Sequence, residues 1–199
     1  MKTFNIVGLV IYFTFYSSLY IKLFIQRSKG LKTIQLGKGN KPKRTMIVEV
    51  FLTIMLFIIS ITQFVVLVFD KSFPLILNNS LIRSLGIVVA ISGIIVLNIA
   101  MATLKDSWKS GVDYDQKTKL VTYGIYKYSR NPGFVGFILF YLGMMLFFSN
   151  ILNIIVTLIV IISFHLQILE EERFLKRSIG KEYLDYLIQT RRYIGRKKG

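Results

Sequence analysis

Five apolar stretches separated by short polar segments dominate the chain. They cover roughly residues 4–25, 46–69, 81–104, 134–149 and 150–169. Because about 20 apolar residues are needed to cross a bilayer as a helix, this pattern predicts an all-α integral membrane protein with about five transmembrane helices. The fourth and fifth stretches are joined only by Ser149-Asn150, which predicts a tight helical hairpin whose first arm is short.

A different pattern follows the fifth stretch. We expect the fifth helix to leave the bilayer near Glu170 and to end at Gly180, since glycine commonly terminates helices. Residues 181–190 then repeat apolar side chains at intervals of three and four, as in Tyr183 and Leu187, which is typical of an amphipathic helix at an interface. The tail is therefore predicted to be helical.

Composition narrows the possible chemistry. The chain is 53% apolar with a mean hydropathy of +0.56, values that favour a membrane protein over a soluble domain. Cysteine is absent and there is one histidine, so we expect no disulfide, no thiolate chemistry and no metal centre. The net charge of +16 comes from basic blocks between the apolar stretches, a distribution that argues against a nucleic-acid partner.

The basic blocks also predict an orientation. Residues 27–44 carry seven lysines and arginines, residues 105–133 carry six, and the tail from residue 170 carries nine. The opposite side has only Lys2 before the first stretch and Lys71 in the second loop. The positive-inside rule then places the N-terminus outside and the C-terminus in the cytoplasm. The first stretch lacks a cleavage pattern and is expected to remain as a span.

Polar residues inside the apolar stretches include Glu49, Asn98, His165 and Gln167. All four fall in the predicted cytoplasmic half, which indicates a polar pocket on that side. The alternative for the three neutral residues is hydrogen bonding between helices. For Glu49, about one turn inside its stretch, simple interfacial placement is the favoured interpretation.

The junction before the fourth stretch has its own signal. Arg130-Asn131-Pro132 precedes the apolar run, and Pro132 suits the first position of a helix because its φ is fixed and its missing N–H is not needed there. The opening turn of that helix would then present unpaired amides to a carboxylate.

Three linked elements carry a family resemblance. In order, they are Leu120-Val121-Thr122 with Gly124 and Tyr126, then Arg130-Asn131-Pro132, then Glu171-Glu172 with Leu175, Gly180, Tyr183 and Tyr186. Over residues 104–195 the chain resembles the isoprenylcysteine carboxyl methyltransferase family and its prokaryotic relatives, a group similar to the phospholipid N-methyltransferases. The first two spans match only as generic membrane helices.

The resemblance implies an integral membrane methyltransferase that uses S-adenosylmethionine in a cytoplasm-facing pocket. The substrate would be a lipophilic small molecule or a prenylated acceptor arriving from the bilayer. Residues 1–199 would form one membrane domain, with three spans in 1–103 and the cofactor-binding region in 104–199. The expected location is a bacterial or archaeal plasma membrane.

The resemblance also implies site residues. Cofactor contacts carry over to Lys119, Leu120, Val121, Tyr126, Arg130, Asn131, Pro132, Gly133, Phe134, Glu171 and Glu172. Candidate catalytic residues are Glu171, Arg173, Gln167 and His165; a carboxylate acceptor would need no base, whereas an amine or hydroxyl would need Glu171 or His165 as proton acceptor. Simpler interpretations are a membrane-edge anchor for Arg130 and an i, i+4 pair of Glu172 with Lys176.

Three departures from the family pattern keep alternatives open. Asn131 stands where the family's carboxyl methyltransferases often carry a histidine, and asparagine offers a donor and an acceptor but cannot titrate. Gln167 stands where the family places an arginine suited to a substrate carboxylate, and a neutral amide cannot make that charge-assisted contact. Arg173 and Arg192 are the candidate replacements for that arginine. Gly195 replaces the last proline of the pattern. The alternatives are N- or O-methylation of a phospholipid or another lipophile, an NADPH-dependent reductase of the sterol-reductase type, and a non-catalytic scaffold.

Overall fold

The computed structural model describes residues 3–114 and 119–197, which form an all-helical bundle. Its α-helices are α1 (Thr3–Ser28), α2 (Lys43–Val68), α3 (Ser80–Leu104), α4 (Pro132–Phe147), α5 (Ile151–Ser178) and α6 (Lys181–Gln189). Four of them, α1, α2, α3 and α5, are long and apolar enough to cross a membrane, while α4 is shorter at 16 residues. The predicted all-α integral membrane protein is thus confirmed at this level.

Helices α3 and α4 pack antiparallel through a glycine seam, formed by Gly86 and Gly93 of α3 and Gly136 and Gly143 of α4. Both pairs are spaced by seven residues, which is about two helical turns. A Cβ atom added at Gly136 would lie 2.6 Å from the Leu97 amide nitrogen, so there is no room for a side chain. Such small residues allow helix backbones to approach closely in a membrane.

Helix α5 packs mainly against α2 rather than against α4. The end of α5 meets the start of α2 at Glu170, which is buried and accepts a hydrogen bond of 2.9 Å from Thr45 Oγ1. Arg44 Nε and Arg173 Nη1 lie 2.9 Å and 2.6 Å from Glu170 Oε1. The two arms of the predicted hairpin are therefore consecutive in sequence, but each packs mainly on another helix.

The turn between α4 and α5 is tight, as predicted, and its polar groups are satisfied by protein atoms. Asn150 caps α5, its side chain accepting from the Asn153 amide at 3.0 Å. The Ile76 amide donates to the Ser149 carbonyl at 2.7 Å, and the Leu77 amide donates to Ser149 Oγ at 3.0 Å. The turn is thereby bonded to the loop that precedes α3.

The loop between α1 and α2, residues 29–42, lies against the segment that follows α3. Ile34 and Ser110 form a parallel bridge in which the Gln35 amide donates to the Ser110 carbonyl at 2.8 Å. Gly111 has a φ of +87°, and a Cβ there would lie 2.7 Å from the Leu36 amide nitrogen. Glycine is required here by both the conformation and the close approach.

The C-terminal tail folds back on the start of α4. Gly180, with φ +72°, separates α5 from α6, close to the predicted boundaries of both helices. Beyond α6 the Gly195 amide donates to the Tyr128 carbonyl at 2.7 Å, and the φ of Gly195 is +112°. Proline has neither that φ nor an N–H, so the departure from the family pattern at this position matches the tail conformation seen here.

Candidate active site

A cavity of about 380 Å³ lies where α1, α2, α4 and α5 meet the segments 107–113 and 119–126. Its volume is in the range of small-molecule and cofactor sites. Along α4 the wall changes from Asn131 at the start of the helix to Phe137 and Tyr141 further in. Along α5 it changes from Phe164 to Glu171 near the end of the helix. Polar and apolar chemistry thus meet in one cavity.

The N-terminal helices add to the apolar wall. Leu19 and Leu23 come from α1, Leu52 and Leu56 come from α2, and Trp108 comes from the segment after α3. These side chains exclude water and suit a lipophilic group. The family resemblance matches the first two spans only as generic membrane helices, so it does not predict this contribution.

Glu171 and Gln167 form a polar pair on the cavity wall. Gln167 Nε2 donates to Glu171 Oε1 at 3.1 Å, as expected for residues one helical turn apart. Gln167 is only 1% exposed, and its Oε1 has no hydrogen-bond partner in the described part of the chain. A buried acceptor without a partner is costly, so the pair favours a ligand that brings a donor.

Glu172 faces a separate ionic cluster, the Glu172 cluster, with Arg130, Arg192 and Asn131. Its carboxylate accepts from Arg130 Nη2 at 2.8 Å, from Arg192 Nη2 at 3.0 Å and from Asn131 Nδ2 at 3.2 Å. The cluster binds the tail and the start of α4 to α5. Glu172 is therefore paired with two arginines rather than with Lys176.

Arg130 is held by the same cluster and by the tail. Its side chain is 7% exposed, and its Nη1 donates to the Thr190 carbonyl at 2.6 Å. This burial does not fit a solvent-seeking anchor at the membrane edge. The guanidinium reaches the cavity wall while its charge is paired with Glu172.

Tyr126 belongs to a 3₁₀ turn, Gly124–Lys127, that borders the cavity. Tyr186 of α6 fixes this turn, its hydroxyl donating to the Tyr126 carbonyl at 2.5 Å and to the Ser129 carbonyl at 3.2 Å. Burial raises the pKa of the Tyr126 side chain, and the charge of Glu171 raises it further. The phenol stays protonated near neutral pH and can donate or accept a hydrogen bond.

Most of the residues singled out from the sequence line this cavity. Those on its wall are Lys119, Leu120, Val121, Tyr126, Arg130, Asn131, Gly133, Phe134, Gln167 and Glu171. Their roles remain predictions. Residues 115–118, which fall inside the motif region, lie outside the described residues.

Four of the predicted site residues are not on the cavity wall. Pro132 is the first residue of α4, as predicted, and is buried there. Glu172 belongs to the Glu172 cluster, and Arg173 pairs with Glu170 at 2.6 Å. His165 Nδ1 lies 2.5 Å from the Tyr193 hydroxyl, so its nearest polar contact is with the tail.

Two other intramembrane polar residues have distinct surroundings. Asn98 Nδ2 donates to the Ile94 carbonyl of its own helix at 2.8 Å. Glu49 is 0% exposed, and its Oε2 lies 2.6 Å from Lys41 Nζ, so its carboxylate is paired inside the protein; its placement at the membrane interface stays a prediction. The sequence shows that Glu49 lies inside an apolar helix and that Lys41 stands eight residues before it. This spacing does not by itself predict that the two side chains form a buried ion pair.

The chain is similar to known methyltransferases over the region that forms much of this cavity. A sequence model of the phospholipid methyltransferase family matches residues 81–182, which is just over half of the chain. The match runs from the start of α3 to the first turn of α6. It includes the motif residues on α4 and α5 but neither α1 nor α2.

Curated relatives are named protein-S-isoprenylcysteine O-methyltransferases, in agreement with the family resemblance of residues 104–195. The chain is 30% identical over 117 residues to a probable protein-S-isoprenylcysteine O-methyltransferase from Oryza sativa, an alignment that covers 57% of this chain and 61% of the relative. It is 28% identical over 117 residues to protein-S-isoprenylcysteine O-methyltransferase A from Arabidopsis thaliana, covering 57% and 59%. With the enzyme of that name from Saccharomyces cerevisiae the identity is 30% over 119 residues, covering 58% and 50%. The chain thus spans about half to three fifths of these relatives.

Proposed function

The chain belongs to the phospholipid methyltransferase family, and from this premise we propose that it is a membrane methyltransferase that uses S-adenosylmethionine. The proposed acceptor is lipophilic, and the names of the curated relatives favour the carboxylate of an isoprenylcysteine. The acceptor would reach the site from the bilayer.

One observation carries this proposal: a single cavity joins polar motif residues to an apolar wall from the membrane helices. Glu171, Gln167 and Asn131 supply polar groups for a cofactor, while Leu19 and Leu52 supply apolar surface for a lipid chain. A methyltransferase with a water-soluble cofactor and a lipophilic acceptor needs both in one place.

The residues present fit S-adenosylmethionine. Gln167 Oε1 lacks a partner, Glu171 is beside it, and a Cβ at Gly133 would meet no atom within 4 Å. Glu171 and Gln167 would accept from the amino or hydroxyl groups of the cofactor, and the first-turn amides of α4 would donate to its carboxylate. When bound, the cofactor supplies an electrophilic methyl group on a sulfonium.

The contribution of this chain to the reaction is positioning and exclusion of water. A carboxylate acceptor is already a nucleophile and needs no base, so its rate depends on alignment in a dry, preorganised pocket. The apolar side chains Leu52, Leu56 and Phe137 provide that dryness on the acceptor side.

A specific observation favours a second candidate function, the methylation of a lipid amine or hydroxyl. Gln167 replaces the arginine suited to a carboxylate, and Gln167 Oε1 and Glu171 are both hydrogen-bond acceptors. They match an acceptor group that carries an N–H or O–H. Glu171 would then take the proton, because the nearest polar contact of His165 is Tyr193 in the tail.

We also propose the membrane orientation predicted from the basic blocks. The short α4 would complete a fifth crossing, the N-terminus would lie outside, and the C-terminal tail would be cytoplasmic. The polar wall residues at the start of α4 and the end of α5 would then face the cytoplasm, where the cofactor is found. The curated relatives are eukaryotic, so location in a bacterial or archaeal plasma membrane stays a prediction.

The first experiment is calorimetry of the detergent-purified protein with S-adenosylhomocysteine and, separately, with NADPH. We expect the protein to bind S-adenosylhomocysteine and not NADPH. Binding of NADPH alone would contradict the proposal and indicate a reductase instead. Transfer of a radiolabelled methyl group is then measured with an N-acetylated S-farnesyl cysteine and with phosphatidylethanolamine. Methylation of the acid alone supports the isoprenylcysteine assignment, and methylation of the amine alone supports the second candidate.

Glu171 offers a test at the level of one residue. Glu171→Gln should weaken S-adenosylhomocysteine binding roughly tenfold to a hundredfold, the value of one or two charge-assisted hydrogen bonds. The same calorimetry on Glu182→Gln, an exposed position on α6, provides the matched control. Equal affinities in the two variants would show that Glu171 is not a cofactor ligand.

A further inference from the structure

The carboxylate of Glu49 is buried in the second turn of α2 and joins parts of the chain that are distant in sequence. Glu49 is 0% exposed, and its Oε2 lies 2.6 Å from Lys41 Nζ, whose side chain is 2% exposed. A charge buried this completely requires a partner, because an unpaired one would be strongly destabilising. The ion pair therefore fixes the end of the α1–α2 loop on α2.

Glu49 also binds two backbone amides outside its own helix. The Gly37 amide donates to Oε2 at 2.8 Å, and the Val112 amide donates to Oε1 at 2.8 Å. Lys41 Nζ in turn donates to the Gln35 carbonyl at 2.6 Å. One side chain thus joins the α1–α2 loop to the segment after α3.

The two segments held by Glu49 are parts of the cavity wall. Ile34 and Leu36 of the loop line the cavity, as do Ser110, Gly111 and Val112. Glu49 itself does not line the cavity, so its hydrogen bonds reach a ligand through these segments. The loop lies outside residues 81–182, the region matched by the family, and it contributes apolar side chains.

We propose that Glu49 is a positioning residue for the lipophilic methyl acceptor. Its carboxylate holds the α1–α2 loop against residues 110–112, and this places Ile34 and Leu36 where the apolar part of the acceptor binds. The inference rests on the proposed methyltransferase function. It assigns the N-terminal loop, and not only the motif region, to substrate recognition.

The test compares steady-state kinetics of the full-length wild type and Glu49→Gln, with the N-acetylated S-farnesyl cysteine and phosphatidylethanolamine as probes. Glutamine has one acceptor oxygen and no charge, so it cannot hold Lys41, Gly37 and Val112 together. We expect the KM of whichever probe the wild type methylates to rise roughly tenfold while kcat changes less than about threefold. Calorimetry should give an unchanged affinity for S-adenosylhomocysteine.

Two further variants separate positioning from general loss of stability. The double variant Lys41→Met/Glu49→Leu removes both charges and so leaves no buried ion unpaired. Leucine cannot accept the hydrogen bonds from the Gly37 and Val112 amides, so this variant should show the same rise in KM. Glu170→Gln removes another buried, ion-paired carboxylate that also contacts α2 but does not line the cavity, and its KM should stay at the wild-type value.

Hydrogen exchange gives a direct readout of the loop. In Glu49→Gln, protection should fall in peptides covering 33–41 and 108–113 and remain unchanged in peptides from α4. An unchanged KM in both Glu49 variants, or an equal rise in Glu170→Gln, would overturn the assignment. A wild type that methylates neither probe and does not bind S-adenosylhomocysteine would instead overturn the proposed function.

Discussion

Two adjacent carboxylates on α5 have different surroundings, although they look alike in the sequence. Glu171 lies on the cavity wall beside Gln167, whereas Glu172 is paired with Arg130 and Arg192. Neighbouring residues on a helix point about 100° apart, so one faces the cavity while the other faces the tail. The proposed cofactor contact and the ionic support of the tail therefore lie in adjacent residues of one helix.

The Glu172 cluster should be important for stability. Glu172→Gln would leave the buried Arg130 guanidinium without its counter-charge, and we expect a loss of about 3 kcal/mol in the free energy of unfolding. Denaturant unfolding in detergent measures this effect, with the exposed Glu182→Gln as control. A variant as stable as that control would show that the cluster contributes no net stability.

Residues with local signals were predictable, and residues with distant partners were not. Pro132 begins α4 and Gly180 lies between α5 and α6, because proline and glycine act on their own backbone. The partners of Arg130 and Glu49 are 42 and 63 residues away, in Glu172 and Val112. No periodicity in a single sequence encodes such a pairing.

The α3–α4 pair depends on small residues. Lipid tails are as apolar as the helix surfaces, so two helices in a membrane are held together by close van der Waals packing rather than by the hydrophobic effect. The glycine seam provides this at four positions, and it orients α4 so that Asn131 and Phe137 line the cavity.

A single methyl group should disturb the glycine seam. In Gly136→Ala the added Cβ would lie 2.6 Å from the Leu97 amide nitrogen, so the helices must separate, at a cost of about 2 kcal/mol. Gly133→Ala on the same helix meets open space and is the control for stability. Thermal unfolding that places the two variants at the same Tm would contradict the close packing.

The spans themselves were predictable, but their pairing was not. Hydropathy is a local property, and the predicted stretches agree with α1 to α4 to within a few residues. Helix α5 continues past the fifth stretch to Ser178, close to its predicted end at Gly180. The hairpin turn at Ser149-Asn150 was also predicted, yet α5 packs mainly on α2 and α4 mainly on α3. The seven-residue spacing of the seam glycines was the available signal for that second interface.

The cavity is a property of the whole molecule. Its motif residues come from the C-terminal half, but α1, α2 and the loop between them provide much of the apolar wall. A resemblance confined to residues 104–195 therefore identified the motif part of the candidate site and could not identify the apolar wall that α1, α2 and the loop between them contribute. Lipophilic ligands take their specificity from surfaces of this second kind.

The absence of cysteine makes the orientation directly testable. Single variants Lys38→Cys, Lys71→Cys and Lys181→Cys introduce one thiol each at exposed positions. In intact cells a membrane-impermeant maleimide should label Lys71→Cys only, and permeabilisation should add the other two. Labelling of Lys181→Cys in intact cells would reverse the predicted topology.

Helix α4 is shorter than the hydrocarbon core of a typical bilayer is thick. Sixteen residues extend roughly 24 Å, less than the 30 Å or so of a typical hydrocarbon core, whereas α5 has 28 residues. In the proposed topology, with α4 as the fifth crossing, this length gives a local hydrophobic mismatch, and because no residue of α4 is fully exposed, the neighbouring helices share that mismatch with the lipid. In that topology the thickness of the host membrane would act on the helix whose first turn borders the cavity.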